Sequence, residues 1–424
     1  MGEKQIMFEE KIARLRNELA NYGAEGVVLT QSENVYYATG FESVMDGWRL
    51  PEPISGVYIP RDQSMPITLL LPEASLISLL VAEREGYPIN FQSLKTFDLL
   101  NFCVMARAED LYLKLEQTAG ERLSHYFSKI EGKCEPDIVA ALVTMLKERG
   151  TREKLILFDD MRIAIKLDQA IGQSHSDAYD MLFKVRAIKT KEEIEIFRQS
   201  GLKADRVMSH TVSLLARGKT WSQIEKSVAK FMIEEDINPL PTSPMLFGGT
   251  YDMAFKPDLF RTLFNKNFEQ GQIVILETQG QYRKVWIDIN RTAHIGTAPE
   301  SYREQHQMVK SCFDLVVEKM KPGNNTADIC DAVQSTLAQN LDTPGKLLLI
   351  IHSIGAFPLE NPMNFPATGL GATNGFMIEP SMILSFDCLY FGSKLGPSHM
   401  ENVFEITEHS AKSLYHYPLD LIEV

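Results

Sequence analysis

Ile275-Leu276-Glu277-Thr278-Gln279-Gly280 and Trp286-Ile287-Asp288-Ile289-Asn290-Arg291-Thr292 decide how this chain is read. Each run sets one carboxylate among apolar, β-branched or aromatic residues. The polar insert Gln281-Tyr282-Arg283-Lys284 separates them. That alternation predicts two strands joined by a hairpin turn. Folding back about Tyr282 and Arg283 brings Glu277 and Asp288 near each other on one face. Two carboxylates held together on a largely apolar strand pair repel unless a proton or a cation lies between them. The plainer alternative is an edge hairpin with two solvated acids, and the two runs alone leave it open.

The chain has 424 residues, too many for one ordinary core, so two domains are expected. Its 44% apolar and 23% charged content is that of a globular protein. A formal net charge of −13 argues against a general basic surface for nucleic acid. The cysteines Cys103, Cys134, Cys312, Cys330 and Cys388 are scattered with no CxxC. That predicts reduced thiols in a cytoplasmic protein and no cysteine zinc site. No run approaches the ~18 uninterrupted apolar residues of a membrane span, and the first residues lead into a charged amphipathic segment.

Moving outward, residues 5–22 have helical spacing, and strands are expected at 26–30, 55–60, 66–72 and 154–158. Helices are expected at 76–82 and 138–146. Strands alternating with helices predict a small α/β domain over residues 1–170. The texture then changes. Thr190 and Glu193 form the signature of a capping box opening a long helix to about Leu215. A second helix follows from Trp221 to Met232, and Ser243 to Gly248 reads as a strand. Beyond the hairpin come helices at 300–320 and 326–339, then strands at 346–352, 382–387 and 400–406. Residues 171–424 are therefore expected to pack helices on an antiparallel sheet, giving an α+β fold overall.

Glu277, Asp288, His352, Asp387 and Glu401 all fall on or at the ends of these apolar strands. Each alone has an ordinary explanation; His352 alone is more often a satisfied core histidine. Five on one sheet are harder to dismiss, because buried unpaired carboxylates are strongly destabilising. Four carboxylates carry about −4, which two divalent cations would cancel. Oxygen and nitrogen donors without thiolate suit Mn, Fe, Co or Zn.

This order of residues resembles the pita-bread fold family, which contains methionine aminopeptidase, aminopeptidase P, prolidase and creatinase. The stretch SENVYYATGF (32–41) resembles the N-terminal domain of the creatinase and prolidase branch. KVRAIKTKEEIEIFRQSGLKAD (184–205) resembles the helix opening its catalytic domain, and EPSMILSFDCLYF (379–391) its penultimate strand. The resemblance implies a pita-bread catalytic domain behind a creatinase-type α/β domain. It also implies one or two divalent ions on Glu277, Asp288, His352, Asp387 and Glu401, and a homodimer. The family's ligands are Asp, Asp, His, Glu and Glu, so Glu277 and Asp387 exchange side-chain lengths while preserving charge.

Other departures bear on activity. The peptidase branch carries a histidine after a Gly-rich turn; the stretch Gly248 to Phe255 has none. A second peptidase histidine is matched by Leu359. Such histidines handle protons and the developing oxyanion, so their absence argues against efficient Xaa-Pro cleavage. Creatinase's working histidine is matched by Phe255 or a neighbour. His399 stands where the family often has Arg.

The first reading is a metal-dependent hydrolase cleaving a C–N bond in a small amino-acid-like or short peptide substrate. Glu401 or Asp387 would move the proton, and His399, Tyr251, Trp48 and Arg49 are candidates near the substrate. The alternatives are a lyase on the same scaffold, like the dimethylsulfoniopropionate lyase of this fold, and a binding module without catalysis.

Overall fold

A computed structural model of the chain describes residues 3–43, 45–46, 50–76, 78–80, 89–99, 125–126, 128–215, 218–239, 245–248, 267–364, 375–391 and 393–424. Trp48, Arg49, Tyr251 and Phe255 lie outside the described residues. So do Ile77, Val81 and Ala82 of the expected helix at 76–82, and Ser243 and Pro244 of the expected strand. No described helix is long and apolar enough to cross a membrane. The chain divides into two compact units, Met1–Val185 and Arg186–Val424.

In the first unit, helices α1 (Glu3–Asn21), α2 (Ser32–Thr39), α3 (Ile138–Glu148) and α4 (Met161–Ile171) accompany six strands. These are β1 (Gly26–Leu29), β2 (Gly56–Pro60), β3 (Thr68–Pro72), β4 (Ser93–Phe97), β5 (Ile156–Phe158) and β6 (His175–Asp177). They form one mixed sheet in the order β4-β3-β2-β1-β5-β6. The strands β1 to β3 and β5 are continuous buried apolar runs, as a sheet covered on both faces requires. Leu15, Val27 and Leu69 pack on one face, and Val28, Leu70 and Leu142 on the other. Around residue 170, where the sequence places the change of texture, come the end of α4 and then strand β6. Both belong to the first unit, and the division falls after Val185.

Helix α5 (Tyr179–Ala187) belongs to the first unit up to Val185 and ends just past the division; in the second unit, α6 (Lys191–Leu215) and α7 (Trp221–Glu234) precede the hairpin, and α8 (Glu300–Lys319) and α9 (Thr326–Ser335) follow it. The capping box forms as expected: Glu193 N–H donates to Thr190 Oγ1 and Thr190 N–H to Glu193 Oε2. The strands are β7 (Asn238–Pro239), β8 (Met245–Gly248), β9 (Ile273–Tyr282), β10 (Val285–His294), β11 (Leu347–Ser353), β12 (Glu360–Met363), β13 (Ile383–Tyr390), β14 (Ser398–Ile406), β15 (Ala411–Ser413) and β16 (Ile422–Glu423). They make one sheet whose central path is β12-β11-β13-β14-β10-β9-β7.

Period-two alternation sorts every strand into two faces. Leu276, Ile287 and Ile289 pack with Phe197, Val207 and Trp221 of α6 and α7. Ile351, Leu384, Phe386 and Met400 pack with Val309, Phe313 and Ile329 of α8 and α9. Each helix pair thus seals one half of the sheet, which is the pita-bread arrangement. The polar residues in between point to the opposite face.

The hairpin turns one residue later than expected, at Arg283 and Lys284, both with positive φ, as a two-residue turn of primed type requires. Glu277 therefore faces Asn290, and Asp288 faces Gln279. The pairing has moved by two residues, an even step, so both acids stay on one face.

Candidate metal centre

Glu277 on β9, Asp288 on β10, Glu401 on β14, Asp387 on β13 and His352 on β11 come from five consecutive strands of the sheet. The register aligns Asp387 with Glu401, Glu401 with Asn290, and Asn290 with Glu277. A row of polar side chains therefore crosses the sheet, with Asp288 and Gln279 paired one pleat away.

Three of these residues, His352, Asp387 and Glu401, offer ligand atoms that all lie within 4.8 Å of one another. Asp387 is flanked by two imidazoles. His352 Nε2 is 3.3 Å from Asp387 Oδ2, and His399 Nε2 is 2.9 Å from Asp387 Oδ1. The Ser385 hydroxyl donates to Glu401 Oε1 at 2.6 Å. Glu277 and Asp288 fall outside that triad. Gln279 Nε2 lies between them, 2.9 Å from Glu277 Oε1 and 3.1 Å from each oxygen of Asp288. Asn290 Nδ2 donates to Glu277 Oε2 at 3.2 Å.

Burial sets the electrostatics. It pushes Asp288 well above the usual carboxyl range, with Glu277 and Asp387 adding to the shift and the bonds from Gln279 and Glu401 opposing it. It does the same to Glu401, where Asp288, Asp387 and Glu277 add and Ser385 opposes. Glu277 is raised to about 7 by burial; His399 opposes and Asp387 adds. Asp387 moves the other way. Burial works against its charge, but His352 and His399, when protonated, donate to it and outweigh burial, holding the carboxyl below its ordinary value.

These donors fit a divalent cation on the His352 side. His352 Nδ1 is 3.0 Å from the Ser353 carbonyl, which can only accept, so Nδ1 carries the hydrogen. In the neutral ring Nε2 then presents a lone pair to a carboxylate oxygen, and two acceptors face each other. A cation resolves that contact, as would a proton on the ring. With bonds of about 2.1 Å, a small side-chain movement would close His352, Asp387 and Glu401 on one ion. Nitrogen and carboxylate donors leave its identity among Mn, Fe, Co and Zn open.

The sequence profile of metallopeptidase family M24 matches residues 195–408. The chain belongs to metallopeptidase family M24. The M24 match takes in all of β9 to β14 and therefore every residue of the centre. Among curated relatives, the chain is 24% identical over 262 residues to a probable dipeptidase PepE of Mycobacterium bovis, spanning 61% of this chain and 67% of the relative. It is 22% identical over 346 residues to the ectoine hydrolase of Halomonas elongata, spanning 77% of this chain and 75% of the relative. Among solved structures, dipeptidase PepE from Mycobacterium ulcerans superimposes with a TM-score of 0.71 at 18% identity, covering 100% of this chain and 99% of that one. At that identity the superposition speaks for the fold alone.

Sequence reasoning named the four acids and the imidazole, together with His399, which the structure places on Asp387. It did not single out Gln279, Asn290 or Ser385. Each lies two residues from a named acid, so strand periodicity alone puts it on the same face. It also passed over Arg291, which is fully buried and donates five hydrogen bonds behind the site. Leu359 is half exposed.

Proposed function

We propose that this chain is a divalent-cation-dependent hydrolase that cleaves a C–N bond, amide or peptide-like, in a small amino-acid-like substrate. The observation that carries the reading is the His352, Asp387 and Glu401 triad on adjacent strands, with the outer nitrogen of His352 already committed to a carbonyl. Family membership and relatives named as a probable dipeptidase and an ectoine hydrolase support hydrolysis.

A bound divalent cation would supply Lewis acidity to the scissile carbonyl and acidify a water. The chain's own residues do the rest. Asp387 keeps its charge at neutral pH and anchors the centre between two imidazoles. Glu401 would take a proton from the attacking water and pass it to the leaving nitrogen. Ser385 fixes one Glu401 oxygen during that exchange. His399 orients Asp387. Leu359 supplies no second proton carrier, which favours a small substrate over an Xaa-Pro peptide. A homodimer belongs to the same reading, and sedimentation of the purified chain tests it.

The test is chelation followed by addition of Mn, Fe, Co or Zn, with amine release followed over dipeptides, N-acyl amino acids and cyclic amidines. Hydrolysis restored by one of these ions is expected. Elimination products formed without water uptake would move the chain to the lyase reading. No turnover and no bound ion with any of them would leave a binding module.

A further inference from the structure

Gln279 is a neutral side chain in direct contact with both acids of the hairpin. Its amide nitrogen meets three carboxyl oxygens, one on Glu277 and both on Asp288, at 2.9, 3.1 and 3.1 Å. Both N–H bonds are used by these acceptors. A flipped amide would set its own oxygen against the same three oxygens, so the network fixes the orientation. A cation shared by Glu277 and Asp288 would need bonds of about 2 Å to these oxygens, and hence the volume that Nε2 fills. The second Glu277 oxygen is also spoken for, by Asn290 Nδ2. Glu277 is therefore held by two carboxamides and Asp288 by one.

We propose that the Gln279 carboxamide takes the place of a second cation, so that the centre holds one divalent ion, on His352, Asp387 and Glu401. The inference rests on the cation-dependent reading above and narrows it. It also accounts for the division of the pocket. The two histidines and Asp387 lie on one side. On the other, Glu277 and Asp288 meet a neutral donor.

The experiment is a stoichiometry. Chelator-stripped protein is incubated with Co(II) alone or Mn(II) alone, desalted, and its metal counted per chain by mass spectrometry. One ion per chain is expected for the wild type and two for Gln279→Ala, which opens the space between Glu277 and Asp288. Gln279→Glu, of equal length but without the N–H donors, should also take up two and carries the test if the alanine variant does not fold. Two ions in the wild type would overturn the inference while leaving the cation-dependent reading intact. One ion in the wild type and in both variants would also overturn it, because the amide would not be what excludes the second. No ion in any of them would overturn the function reading and this inference with it.

Discussion

Arg291→Met should destabilise the second unit by about 4 kcal/mol, and the figure can be worked from the hydrogen bonds. Arg291 has no exposed surface, yet all five of its N–H groups find acceptors. Nε donates to Pro418 O at 2.7 Å. Nη1 donates to Asn290 O at 2.6 Å and Glu401 O at 2.8 Å. Nη2 donates to Asn402 Oδ1 at 2.8 Å and Tyr417 O at 2.6 Å. Burial lowers the guanidinium to about 10, so it stays charged at neutral pH. Methionine keeps the stem's bulk and removes every donor. Five abandoned acceptors at about 1–3 kcal/mol each would set a ceiling of ~15 kcal/mol. Two effects reduce it: the cost of burying the guanidinium is recovered, and second lone pairs and entering water satisfy part of the remainder. Removing one partner of a buried charged network typically leaves about 3–5 kcal/mol.

Urea unfolding followed by tryptophan fluorescence is the assay. Trp221 and Trp286 are both buried in the second unit, and Trp48 is the only other tryptophan. With a slope of about 3 kcal/mol per molar, the midpoint should fall by more than ~1 M. A second consequence is local. Arg291 ties the backbone of Asn290 on β10 to that of Glu401 on β14, the pair whose register sets Asp288 beside Glu401. Cobalt affinity should therefore fall together with stability. Arg291→Lys keeps the charge and loses the fork, so it should lie between. A midpoint for Arg291→Met within ~0.3 M of wild type, corresponding to about 1 kcal/mol, would refute the claim that this network holds the two strands in place.

Asp387→Ala removes the partner of both histidines, so bound metal and turnover should disappear together; metal analysis of the folded variant checks it. Gly201→Ala should cost about 1–3 kcal/mol, because a Cβ there would run into the Leu414 carbonyl where α6 meets the C-terminal segment; thermal melting measures it. Asp159 in the first unit gives a pH signature. Burial raises it from 3.8 to about 6, although Thr30, Gln31 and Asn34 all donate to it. The folded state therefore favours the protonated acid. Its stabilising share is full below pH ~4 and is lost as pH rises through about 6, roughly 3 kcal/mol in all. The stability difference between wild type and Asp159→Asn, measured at pH 4 and pH 7, should shift by that amount in favour of the variant at the higher pH.

The parts of the site that were legible in the sequence are those written in one dimension. Apolar alternation located the strands, and a carboxylate interrupting such a run marks a cost that needs a reason. That logic reached Glu277, Asp288, Asp387 and Glu401 without coordinates, and His352 by the same token. What it could not reach is anything set by register between strands distant in sequence. Asn290 lies opposite Glu401 only because β14 pairs with β10, more than a hundred positions away along the chain. Arg291 reads as an ordinary strand charge until the C-terminal carbonyls of Tyr417 and Pro418 are brought behind it. Gln279 is the instructive intermediate. Its spacing from Glu277 was visible, yet a glutamine two residues past an acid is unremarkable until a partner strand brings Asp288 to the same nitrogen. Counting carboxylates suggested enough negative charge for two cations; the strand pairing shows that two of the four acids already share a neutral donor. Charge counted from sequence therefore sets an upper limit on the ions a pocket can hold, and the hydrogen bonds among its members determine how much of that limit is used.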